Sequence, residues 1–239
     1  MIPKPYFNIV RNINDGTKKA NRFLQQSDEA RLQKRALNVL IDDLNELFLF
    51  IEPSSSNVNI FSHRCYDIHL RACVQVESAL RLIFNKNGVI PQVDSIIGYS
   101  DLEGVMKLSE YDLRYMTLPL HNFKPFESFA NPTRNDRSPK WYKEHNKVKH
   151  NRTRYFHLAT LENAIHSVGA LYAIIDAQYA IGYLHSDGNE RSLAPRRDGI
   201  YLLEAIPTWL AAEKYYNFDW DALVVSGDPF ASASIPVIP

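Results

Sequence analysis

The chain has 239 residues, 45% of them hydrophobic and 23% charged, which is long and apolar enough to bury a sizeable core. Its 27 basic and 27 acidic side chains cancel, which excludes a uniformly basic nucleic-acid binder. Nine glycines, with neither a GxGxxG nor a GxxxxGK(S/T) pattern, disfavour dinucleotide and phosphate-loop folds.

Residues 1–26 read as a mixed polar arm. Ser27-Asp28-Glu29 opens a helix, its acids facing the positive end of the helix dipole. Leu32, Ala36, Leu37, Leu40, Ile41, Leu44, Leu47, Phe48 and Ile51 keep helical spacing along it. Pro53 to Asn57 ends it. Residues 62–86 form a second helix with a core stripe of Ile68, Ala72, Cys73, Val76, Ala79, Leu80 and Ile83. Glu77 lies beside that stripe. Arg64, Asp67 and Arg71 are spaced to pair along one face. Cys65 and Cys73, eight apart on a helix, stand roughly 12 Å apart, too far for a disulfide.

Residues 87–137 are irregular. Ser100 to Glu103 has the spacing of a capping box and predicts a short helix to about Leu108. Tyr111–Leu120 leans toward a strand, with His121–Phe129 as its hairpin partner. Ser138-Pro139 then starts a helix reaching His150, Ser as cap and Pro at the first helical position. Trp141, His145 and Val148 make its buried stripe, while Tyr142, Asn146 and His150 share the neighbouring face. Asn151-Arg152-Thr153 breaks the pattern. Thr160 caps a long helix through Leu161, Ala164, Ile165, Val168, Leu171, Tyr172, Ile175 and Tyr179. Beyond it lie a polar loop (185–199), a strand (200–206), a short helix (207–216) and an extended tail (224–239).

The fold class implied is mainly α, a helical bundle of about four main helices with a small β-hairpin or short-strand insertion. One domain spans residues 1–239: a first helical pair (27–86), an irregular insertion (87–137), a second helical pair (138–184) and a C-terminal extension (185–239). No apolar run is long enough for a membrane span, and MIPKPYFNIV carries no apolar leader core. A cytoplasmic protein is expected, with no membrane partner and no cofactor.

Charge is uneven. Residues 134–154 carry eight basic side chains against two acidic ones, a net +6. Residues 155–239 carry four against ten. The basic segment includes Lys140, Lys143, Lys147, Lys149 and Arg154, a cationic face suited to a nucleic-acid backbone. Within it Asn146, His150, Arg152 and His157 are the candidate catalytic residues. A neutral imidazole can take the proton of a ribose 2′-hydroxyl, and an adjacent arginine can hold the phosphate. An amide can orient the attacking group. No metal site is expected, since no histidine pair has the four-residue helical spacing of such sites and no HExxH occurs.

The segment WYKEHNKVKHNRTRYFHLATLENAIHSVGAL, residues 141–171, resembles a pattern of uncharacterised, mostly bacterial helical proteins. It runs as an aromatic pair, Asn, Val-Lys-His, a polar residue, Arg, then a leucine-rich helix. FSHRCYDIHLRACVQVESALRLIF, residues 61–84, is similar to a second segment of that group. The layout is similar to HEPN domains, in which Arg-x4–6-His motifs of two subunits face one cleft. Arg152 and His157 match that spacing, with Asn151 before the arginine and not after it. The resemblance implies a metal-independent ribonuclease or toxin-type effector of antiphage defence, a homodimer, and an antitoxin or operon partner. The alternative is a non-catalytic helical module that binds a protein partner or nucleic acid.

Overall fold

The computed structural model describes residues 28–115, 122–179, 201–205 and Pro207. Its main helices are α1 (Asp28–Leu47), α2 (His63–Lys86), α5 (Lys140–His150) and α7 (Leu161–Tyr179). Shorter helical turns are α3 (Ile96–Tyr99), α4 (Glu103–Met106) and α6 (Arg152–Tyr155). Strands β1 (Asp112–Tyr115) and β2 (Tyr201–Ala205) pair antiparallel. The molecule is thus a mainly helical bundle with a minimal β-element, as the periodicity predicts.

α7 is the central element. Its apolar residues run almost all round the helix, and every one from Val168 to Tyr179 is buried. A helix apolar on all sides needs neighbours on all sides. α7 packs against α2, α1 and α5, and one hydrophobic core joins residues from Ala30 to Tyr179. Each fully buried Leu or Ile contributes about 1.5–3 kcal/mol, so this core dominates the stability.

Local signals set the helix starts. Ser62 accepts from the Cys65 amide at 3.1 Å and caps α2. Thr160 accepts from the Asn163 amide at 3.2 Å and caps α7, as expected. Ser138 makes no cap; α5 starts at Lys140, and the Pro139 carbonyl accepts its first bond, from Lys143. The capping box at Ser100 does not form either. The chain is already helical from Ile96, so the Ser100 hydroxyl donates to the Ile97 carbonyl. Glu103 instead accepts from the amide and hydroxyl of Ser109.

α1 ends at Leu47, short of Ile51. Its buried stripe takes Ala30, Lys34, Leu37, Ile41 and Leu44, so Leu32 points outward at 68% exposure and Lys34 inward. Burial pushes the Lys34 amine down to about 8, with Asp176 opposing. Arg64 and Arg71 do not pair with Asp67 side to side; both reach across to Asp43 of α1, and Arg64 also reaches Glu46. Asp43 is therefore an interhelical ion-pair centre and not a free solvent acid.

The expected hairpin partner of β1 reduces to one bridge, Leu113 to Phe123. The main partner of β1 is β2, with Leu113 opposite Leu203 and a bulge between Asp112 and Leu113. Residues 1–26, the 185–199 loop, the 207–216 helix beyond Pro207 and the 224–239 tail lie outside the described residues.

Candidate functional site

The loop before α2 runs alongside the start of α7. Leu161 and Glu162 donate to the Ile60 and Val58 carbonyls at 2.8 and 2.9 Å, and Phe61 bridges to Thr160. This brings the first turn of α2 against α6. Arg152, at the start of α6, is exposed, and its Nη2 donates to Nδ1 of His63 at 2.5 Å. An arginine has only donors, so Nδ1 of His63 is the acceptor in this bond.

Rings surround the guanidinium. Its carbon lies 4.6 Å from the Tyr66 centroid and 5.2 Å from that of Phe156. Phe156 in turn meets His63 at 4.7 Å and Phe61 edge-on at 5.8 Å. Among the described residues no carboxylate pairs with Arg152. The positive end of α2 lies beside it, and no described residue supplies an anion to it.

The rest of the basic segment divides in two. Lys140 is bonded to Glu162 at 2.9 Å, and Arg134 and Arg137 share Asp101. Lys143, Lys147, Lys149 and Arg154 are exposed and form no ion pair among the described residues. They and Arg152 give α5 and α6 a basic surface, the ridge, in which Lys143 and Lys147 share one face while Lys149 lies round the helix toward Cys73 and His145. Asn151 caps α6 by accepting from the Arg154 amide at 3.2 Å, which fixes the bend in the ridge.

His150 ends α5 and His157 follows α6; both are exposed, and neither hydrogen-bonds to Arg152 among the described residues. Asn146 is half-buried beside the Tyr142 hydroxyl, and that hydroxyl donates to Glu77. The imidazole that meets Arg152 is His63, which sequence reasoning did not place in the site. No local signal marks it, because the contact joins residues 89 apart.

A second cluster lies inside, between α2 and α5. One ligand-type atom each of His69, Cys73 and His145 falls within 4.8 Å of the others, and all three residues are buried. His69 and Cys73 are one turn apart on α2, a mixed pair that a search for histidine pairs passes over. The His69 and His145 rings meet edge-on at 5.6 Å. Burial holds His69 down to about 3 and His145 down to about 4, with neighbouring histidines and Lys149 adding to the effect. Burial and Glu77 push the Cys73 thiol well up.

Comparison with protein-family models, with curated proteins and with solved structures finds no match for the chain. Among the described residues, no helix is long and apolar enough to cross a membrane.

Proposed function

We propose that this protein acts on single-stranded RNA along the α5–α6 ridge, as a metal-independent endoribonuclease of the HEPN kind. The observation that carries the reading is Arg152: a guanidinium fixed by His63, Tyr66 and Phe156, with no acid among the described residues to neutralise it, at the positive end of α2. An arginine kept for structure usually meets a carboxylate. One seated on neutral rings keeps its charge available for a phosphate.

In this reading Lys143, Lys147, Lys149 and Arg154 track the backbone of the strand, and Phe61, 48% exposed, gives a base a face to stack on. Arg152 holds the phosphate at the cut. His150 or His157 takes the 2′-hydroxyl proton, and His63 keeps the guanidinium in place. Attack of the 2′-oxygen on phosphorus then breaks the bond to the 5′-oxygen, which takes a proton from the other histidine or from water, and leaves a 2′,3′-cyclic phosphate. A homodimer would set two such notches over one strand, in the cytoplasm, with an antitoxin to restrain them.

A second reading has its own observation. Arg152 is bonded to His63 and not to either flanking histidine, an arrangement that serves binding without requiring catalysis. Anisotropy of a labelled oligonucleotide, read beside a cleavage gel, separates the two. Binding with product supports the ribonuclease, binding with no product supports the binding module, and no binding overturns both.

A further inference from the structure

The geometry points to a zinc-type site at the α2–α5 junction, formed by His69, Cys73 and His145 with a water completing the tetrahedron. Two imidazoles and a thiolate are the ligand set that a divalent cation of borderline softness prefers. The ligands of one tetrahedral zinc stand about 3.3–3.8 Å apart, given bonds of about 2.0–2.3 Å. The three atoms here lie within 4.8 Å of one another, so shifts of roughly 1 Å close the site.

The surroundings fit an ion better than they fit an empty core. His69 Nε2 donates to the Trp141 carbonyl at 3.1 Å, so its lone pair is on Nδ1. A ligating histidine is usually oriented by such a bond from its far nitrogen. The same Trp141 is itself pinned, its indole N–H donating to the Pro125 carbonyl at 2.8 Å. Glu77, one turn beyond Cys73, acts on that thiol and accepts from Tyr142. With the Cys73 thiolate it balances a divalent charge; Lys149, the nearby cation, opposes. On binding, the Cys73 S–H loses its proton to solvent and a sulfur–metal bond replaces it.

Such an ion would clamp α5 to α2 and so hold the ridge. It stands apart from the ribonuclease reading, because it takes no part in cutting RNA. The test is cobalt(II) added to the full-length, reduced chain. The expected result is one ion per chain, with sulfur-to-cobalt charge-transfer absorption and tetrahedral d–d bands, displaced by zinc. Cys73→Ser should abolish the charge-transfer band and His145→Gln should weaken binding at least tenfold, while Cys65→Ser changes neither. The unsubstituted chain decides the matter even if the variants fail to fold. Absence of the charge-transfer band in it, or its persistence in a folded Cys73→Ser chain, overturns the assignment.

Discussion

Arg152 donates to His63 across 89 residues of chain, and that contact ties the cationic ridge to the first turn of α2. The bond and the flanking rings fix where the guanidinium sits. Among the described residues they do so without an acid taking up its charge.

Arg152→Ala should therefore cost little stability and much affinity. An exposed cation–ring contact is worth about 0.5–1 kcal/mol, so the denaturation midpoint should barely move. A charge-assisted bond to phosphate is worth about 1.5–3 kcal/mol, so RNA affinity should fall roughly 10- to 100-fold. Arg152→Lys should recover only part of it, because a point charge does not stack between Tyr66 and Phe156. Urea melts and oligonucleotide anisotropy on the same preparations check both halves.

The ridge also predicts a salt dependence. Each cation neutralising a phosphate of a single strand contributes about 0.7 to the slope of log affinity against log salt. Replacing Lys143, Lys147 and Lys149 with Gln should lower that slope by about 2. The same change at Lys140, already bonded to Glu162, should lower it much less. Equal effects at all four positions would mean that the strand lies elsewhere.

Much of this was legible in the residues, and the exceptions have physical reasons. Helical periodicity predicted the stripes of α2 and α7 almost residue by residue. It misplaced Leu32, which points outward, while Lys34, for which the pattern gave no signal, turns inward. The partner of β1 comes from about ninety residues downstream, beyond any hairpin rule. Thr160 caps as its type suggests, whereas Ser100 does not, since a helical turn already precedes it. At the site, the basic segment and its exposure were readable, but His63 and the His69–Cys73–His145 cluster depend on which helices meet.

Gly98 offers a stability test away from the site. A Cβ there would stand 1.8 Å from the Val93 carbonyl oxygen, which is backbone and cannot swing aside. Gly98→Ala should destabilise the fold by about 1–3 kcal/mol or more. Gly104→Ala, where a Cβ meets nothing within 4 Å, is the matched control and should be near neutral. Chemical denaturation of the pair gives the comparison.

His166 predicts the direction of one acid response. It stacks on Phe123 at 4.3 Å, and burial pulls it down to about 4, against Glu162 and with Lys140. The unfolded chain takes a proton near pH 6.5 that the folded chain refuses until about pH 4. This histidine's contribution is therefore complete above pH 6.5 and declines as pH falls toward 4, by up to about 1.4 kcal/mol per unit. His166→Phe should flatten that part of the stability–pH curve between pH 6.5 and 5.

The most direct measurement is a cleavage gel of labelled single-stranded RNA with no magnesium or manganese and with zinc kept at one ion per chain. The unsubstituted protein should cut and leave 2′,3′-cyclic phosphate ends. The His150→Ala, Arg152→Ala, His157→Ala triple variant, folded by circular dichroism, should leave the RNA whole. Intact RNA with the unsubstituted protein, or equal cutting by the triple variant, would contradict the account.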